Sequence, residues 1–190
     1  LDAITGKKKA TLIKGSRSVD FEELKWLQPG LSWSPDGNKI VLAAKAGASD
    51  ALHIVDIKTK RSKKIPIDLD GVFSASWSPA GGEIVFTGNH NGSSDIYIYD
   101  LDREKYRQIT NDIFSDSYPR WDNKGEEIVF VSDRGGYVDG KYSGRMEDHD
   151  YRQTDIYILN TKDGSIRRIT DTPDNENHPI WANTKRTIFY

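Results

Sequence analysis

The chain has 190 residues, 36% of them hydrophobic and 29% charged, with a formal net charge of −2 and no cysteine. That composition is ordinary for a globular domain able to bury a core, and the near-neutral charge gives no reason to expect nucleic acid or an anionic membrane as partner. Disulfides and thiolate metal sites are excluded, and no apolar run approaches the length of a membrane span.

From the N-terminus onward the predicted elements recur with one period. Trp33, Trp77, Trp121 and Trp181 each stand seven residues before an isoleucine: Ile40, Ile84, Ile128 and Ile188. The tryptophan spacings are 44, 44 and 60, the last being 44 plus a 16-residue insertion. Asp56, Asp100 and Asn160 correspond, as do Ile65, Ile109 and Ile169. Such self-similarity marks an array of supersecondary units, none of which buries its apolar face alone.

Residues 1–13 predict the end of a strand, a Thr-Gly turn and, near Ala10 to Ile13, the last strand of a preceding unit. Residues 14–66 make the first whole unit, led by a loop from Lys14 to Gly30 that is about nine residues longer than its counterparts. Within this loop Asp20 to Trp26 predicts a short surface helix, Asp20 capping and Glu23 at the third position. Residues 67–110 show the unit most plainly, with strands at Ala75–Ser78, Glu83–Thr87, Asp95–Asp100 and Tyr106–Thr110. The runs Ile84-Val85-Phe86 and Ile96-Tyr97-Ile98-Tyr99 suit strands covered on both faces. Pro79 and Gly81 predict a tight hairpin after Trp77, as Pro35 and Gly37 do after Trp33. Residues 111–170 keep only Gly125 in that turn and carry the insertion, near 136–153. Residues 171–190 supply the first half of a further unit, and its turn at Trp181-Ala182-Asn183-Thr184-Lys185 must be built differently.

Four antiparallel strands per 40 to 45 residues is the blade of a β-propeller. The predicted fold class is therefore all-β, a partial ring of about three and a half blades with one tryptophan per copy filling the seam between sheets. The terminal pieces add up to three strands where a shared closing blade needs four, so a longer protein with a larger ring is expected, any signal peptide lying upstream. The repeat also carries a resemblance. Trp33-Ser34-Pro35-Asp36-Gly37 with Ile40, Asp95-Ile96-Tyr97-Ile98-Tyr99-Asp100 and Arg107-Gln108-Ile109-Thr110 resemble the WD-repeat-like propeller unit of TolB-type periplasmic proteins. The unit is found too in the propellers of tricorn-type and prolyl-oligopeptidase-type peptidases. The resemblance covers nearly the whole chain. It implies a propeller and a non-catalytic scaffold for protein or peptide binding, in the periplasm or cell envelope. The alternative it implies is the gating or substrate-binding propeller of a multidomain peptidase whose catalytic domain lies outside this chain.

No Gly-x-Ser-x-Gly elbow, phosphate-cradling loop or His-Glu-x-x-His helix occurs, so no catalytic residue, cofactor or metal site is predicted. His53, His90, His149 and His178 are scattered, and His53 reads as a packing variant of Tyr97 and Tyr157. Asp112, Asp116, Asp171, Asp174 and Glu176 lie on loops before innermost strands, on the face where the channel opens. Carboxylates on short loops suit hard cations, but they also satisfy turn amides, which is the reading adopted. A lyase with a channel metal held by His178 and these loops is the most distant alternative. Asp133-Arg134 reads as a loop salt bridge or cap, and Asp95 and Asp155 as anchors of the loops preceding their strands.

Function is therefore sought where one copy departs from the others. The insertion holds Tyr137, Tyr142, Tyr151, Arg145, Arg152 and Met146 among glycines. Tyrosine, arginine and methionine are enriched in interface cores, and loops on a rigid scaffold carry contacts. The insertion and the Lys14–Gly30 loop emerge on the same face. The partner-binding candidates are Tyr137, Tyr142, Arg145, Met146 and Tyr151, with Phe21 and Trp26 from the leading loop and His178 near the channel. The expected partner is a protein or peptide on the channel face.

Overall fold

Side chains on a strand alternate between two faces, and here both faces have to be covered. The computed structural model describes residues 2, 4–9, 11–12, 23–24, 30–46, 49–137, 145–182 and 186–190. The first sheet contains β1 (Glu23–Leu24), β2 (Leu31–Trp33), β3 (Lys39–Ala46), β4 (Ser49–Asp56) and β5 (Ser62–Pro66). The second contains β6 (Gly71–Trp77), β7 (Glu83–His90), β8 (Ser93–Asp100) and β9 (Lys105–Gln108). The third contains β10 (Asp116–Trp121), β11 (Glu127–Ser132), β12 (Asp155–Asn160) and β13 (Ile166–Arg168), and β14 (Ile180–Trp181) pairs with β15 (Ile188–Phe189) in a half sheet. The second and third sheets run in simple chain order, and every neighbouring pair is antiparallel. The expected all-β blades are present.

The alternation sorts apolar residues into seams. On β7 and β8, Ile84, Phe86, Tyr97 and Tyr99 join Val41, Leu52 and Ile65 of the first sheet, with Trp77 in the same cluster. Their neighbours Val85, Ile96 and Ile98 turn the other way, onto Trp121, Ile128, Phe130 and Tyr157 of the third sheet. Val129, Val131, Ile156 and Ile158 then face Trp181 and Ile188. Trp77 and Trp121 are 8% and 7% exposed, as seam residues should be. Trp33 is not: it is 53% exposed, because the face it shares with its partner Ile40 meets only Leu12 and Ile57 among the described residues.

Turn chemistry fixes the register. In the first three hairpins a backbone bond closes the loop (Ser34 N–H to Lys39 O, Ser78 N–H to Glu83 O, Asp122 N–H to Glu127 O), and Gly37, Gly81 and Gly125 take φ of 69°, 85° and 72°. In the fourth, Ala182 N–H donates to Thr187 O in the same way; Asn183, Thr184 and Lys185 lie outside the described residues. The turns after the third strands use Asp56, Asp100 and Asn160 as acceptors for amides two or three residues on, followed by a left-handed residue at Lys60, Glu104 or Gly164. β6 and β10 each bulge about three residues before the tryptophan. The register shifts between Phe73 and Ser76 and between Ser117 and Arg120, and Ser74, Tyr118 and His178 all have φ near +50°. Bulges bend a strand and sharpen its twist. Gly30 holds the corresponding place in the first copy, and a Cβ there would run into the backbone of Ser74 and Ala75.

Two expectations are corrected or narrowed. Glu23 and Leu24, placed within a helix by the capping pattern, instead extend β3 by pairing with Lys45 and Ala44. β3 is eight residues long and β2 only three, so the free edge of β3 offers these residues ladder bonds, while a helix of seven residues is marginal in water. The rest of that segment, with Phe21 and Trp26, lies outside the described residues. Near the N-terminus the expected turn is present: Asp2 N–H donates to Lys7 O, and Asp2 accepts from Thr5 as Asp56 does from Thr59. Thr11 and Leu12 are not in a strand, and Ala10 and Ile13 lie outside the described residues.

Trp77→Ala or Trp121→Ala should cost about 3–5 kcal/mol, the range for emptying a large core site. Trp33→Ala, at an exposed position, should cost under about 1 kcal/mol. Urea denaturation of the three variants checks the contrast. The open faces carry Leu31 and Trp33 at one end and Ile180, Phe189 and Tyr190 at the other, all at least half exposed. Such faces favour association, so light scattering on this 190-residue chain should show concentration-dependent self-association.

Candidate functional site

The third blade pairs two buried residues of opposite charge, which neither of the first two copies does. Asp116 stands where the second copy has Val72, and Arg134 where it has His90 and the first has Ala46. Both charges fall at one end of the β10–β11 pair: the register sets Asp116 opposite Ser132, and Arg134 follows two residues beyond. Arg134 is 1% exposed and Asp116 fully buried. Arg134 Nη2 donates to both Asp116 carboxylate oxygens at 2.7 and 2.6 Å, Nη1 lies 3.1 Å from Asp112, and Nε donates to Ser132 Oγ at 2.9 Å. The guanidinium sits 5.3 Å from the Phe130 ring centre, 5.6 Å from Tyr157 and 5.9 Å from Phe114. Burial pushes the Asp116 carboxyl up to about 6 against the pull of Arg134. Both carboxylate oxygens accept from Arg134, the arrangement of an ion pair.

The loops of this face are fastened around that pair. Asp133 accepts the Ser115 amide at 2.8 Å, and Tyr157 donates its hydroxyl to Gly135 O at 2.6 Å. His149, from the insertion, brings Nε2 within 2.6 Å of the Asp133 carbonyl, so the ring proton lies there. Its ring stands edge-on to Phe114 at 5.1 Å and to Tyr151 at 4.5 Å, and Tyr137 packs on Phe114 at 5.1 Å. Gln153 closes the insertion by donating to Thr172 O and Asp174 O, and Thr154 N–H donates to Asn175 Oδ1. A single 3₁₀ turn, Met146–Asp148, stands between these anchors with none of its residues buried.

Of the residues singled out in the sequence, Tyr137 and Tyr151 therefore meet around Phe114 and His149. Met146 and Tyr151 are 37% and 50% exposed, and Arg145 pairs with Glu147 on the surface. Tyr142, Phe21 and Trp26 lie outside the described residues. His178 packs elsewhere, on Tyr118, with ring centres 4.1 Å apart, where both residues have φ near +50°. Sequence reasoning read Arg134 as a loop salt bridge or cap, which its pairing with Asp112 and Asp116 bears out; it counted His149 only among scattered histidines and did not name Phe114. The signal available was the joint departure at positions 116 and 134, two opposite charges appearing in the one copy that also carries the insertion.

The acidic loops are largely engaged within the protein. Asp112 accepts the Phe114 amide and pairs with Arg134, Glu176 accepts from Thr170 and Thr172, and Asp171 pairs with Arg168. Among the described residues no group of three or more His, Asp or Glu side chains is placed to hold a metal ion. Asp95 accepts from Gln108 and Thr110, and Asp155 from Arg168 and Thr170, so each ties its third strand to the fourth. Burial, with Asp112 nearby, raises the Asp95 carboxyl to about 6.

Arg134→Met should cost about 3–5 kcal/mol, because it leaves Asp116 buried and unpaired. Adding Asp116→Val, the residue of the second copy, should restore most of that loss. Equilibrium denaturation of the single and double variants measures both.

The repeat and this geometry agree with what the chain resembles. A family model described as the TolB beta propeller domain matches residues 25–150. No curated protein matches the chain. TolB from Acinetobacter baumannii is 25% identical with a TM-score of 0.63, over 80% of this chain and 34% of its own. A protein assigned as TolB from Agrobacterium tumefaciens is 21% identical with a TM-score of 0.58, over 76% of this chain and 50% of its own. Tricorn protease shares the fold at 16% identity and a TM-score of 0.51, over 72% of this chain and 14% of its own. The chain thus spans between about a third and a half of the two TolB structures. It belongs to the TolB β-propeller domain family.

Proposed function

We propose that this chain is a non-catalytic propeller scaffold that binds a protein or peptide on the face bearing the insertion, in the periplasm or cell envelope. The compartment follows from the TolB resemblance. The observation that carries the binding role is the contrast within the insertion. Its base is pinned by His149, Tyr137 and Gln153, yet Met146 and Tyr151 are held out to solvent. A side chain ordered before contact loses less entropy on binding, so a pinned loop with exposed apolar groups suits recognition. The likeness to tricorn protease is one of fold, and it supports no peptidase role for this chain.

Replacing residues 136–153 by a short turn like Asn91-Gly92-Ser93-Ser94 should leave the blades folded, since β7 and β8 pair without such a loop. Circular dichroism should retain its β signature, whereas affinity capture by the shortened chain, compared with the full chain by quantitative mass spectrometry, should lose its partner. Capture at undiminished yield would refute the reading.

A further inference from the structure

Resting on that reading, we infer that the insertion face takes a cationic, amphipathic segment: apolar anchors flanked by lysine or arginine. The surface offers three exposed apolar side chains around the His149 clamp. Ile113 is 68% exposed, Tyr151 50% and Met146 37%. They are linked through the clamp: Ile113 adjoins Phe114, Phe114 and Tyr151 both touch the His149 ring, and His149 N–H donates to Met146 O. Exposed apolar groups gathered on fixed loops mark a contact site more than a scatter of single ones does.

The charge around this patch is one-sided. Glu147, Asp148 and Asp150 stand on the insertion and Asp171 and Asp174 on the loop that Gln153 binds; Asp171 is matched by Arg168, and the basic residues of these described stretches are Arg145 and Arg152. Arg145 is already matched by Glu147. Beneath, one guanidinium faces two carboxylates, since Arg134 pairs with both Asp116 and Asp112, leaving an excess negative charge under the patch. On the outermost strands, by contrast, Lys63, Arg107 and Arg167 are each matched by a glutamate, Glu104, Glu83 and Glu127. An acidic rim around apolar anchors selects a partner by charge and speeds its encounter, while a like-charged partner is repelled.

The test uses the full 190-residue chain and three short fluorescent peptides sharing one pattern of leucine and tryptophan, with the intervening positions all lysine, all glutamine or all glutamate. Fluorescence anisotropy should show the lysine peptide binding at least about tenfold tighter than the other two, with affinity falling severalfold between about 0.05 and 0.3 M salt. Met146→Ser with Tyr151→Ser should weaken the lysine peptide about tenfold or more, as loss of interface anchors does. Trp33→Ser, at the exposed end of the first blade, should leave it unchanged. If the double variant weakens all three peptides equally, the contact site stands and the charge preference is overturned. If the double variant binds the lysine peptide as the parent does, both the inference and the reading beneath it fail. Tight binding of the glutamate peptide, or self-association abolished by the double variant, would also overturn the inference, the latter by making a second copy the occupant.

Discussion

Everything in this molecule depends on the two-residue alternation of strands whose faces are both buried. Ile84 and Phe86 commit one side of β7 to the first sheet, and Val85 commits the other side to the third. A slip of one residue would exchange the two seams and leave each tryptophan facing the wrong sheet. The hairpin bonds at Ser34, Ser78 and Asp122 prevent that slip locally, and the bulges at Ser74 and Tyr118 rephase the second and third innermost strands at the same distance from each tryptophan. The same constraint explains why identical residues differ in environment. Trp33 and Trp77 share the pattern Trp-Ser-Pro-x-Gly-x-x-Ile, and among the described residues only Trp77 joins a cluster with a neighbouring sheet.

Most of the scaffold was legible because it repeats. A residue that recurs at one period reports a position, and the positions of Trp77, Gly81, Asp100 and Ile84 specify seam, turn, cap and strand without reference to anything distant. What failed was the segment that does not repeat. The capping pattern at Asp20 and Glu23 is a local signal, and at Glu23–Leu24 it was overridden by the open edge of β3, which no local reading contains. The candidate site was half legible for a related reason. The insertion announced itself by length, and its tyrosines and methionine by type. Arg134 and His149 did not, because their meaning lies in contacts across separate loops: Arg134 with Asp116, and His149 with Phe114, partners 18 and 35 residues apart in sequence.

The insertion does not behave as a separate appendage. Its ends continue the blade through Tyr137 against Phe114 and through Thr154 against Asn175, so the 3₁₀ turn between is presented by the blade itself. The Asp174 carbonyl and the Asn175 side chain belong to the loop leading to the next innermost strand, which means that the insertion also bridges two blades. Met146 and Tyr151 are therefore joined, through Gln153 and Thr154, to the loop that leads into the next blade.

The choice of a buried ion pair at positions 116 and 134 is instructive because stability alone does not call for it. A well-packed apolar pair is commonly as stable as a buried salt bridge or more so, and the second copy manages with Val72 in place of the aspartate. What the pair supplies instead is direction. Arginine offers a planar set of donors, and here they fix Asp116 on β10, Asp112 on the preceding loop and Ser132 on β11, while the faces of Phe114, Phe130 and Tyr157 enclose the plane. Valine could fill the volume but could not tell one loop conformation from another. The blade that carries the extra loop is also the one that carries this anchor, and Phe114, the ring on which the loop's His149 rests, is held against Arg134. The ion pair thus holds in place the ring against which the His149 end of the insertion packs.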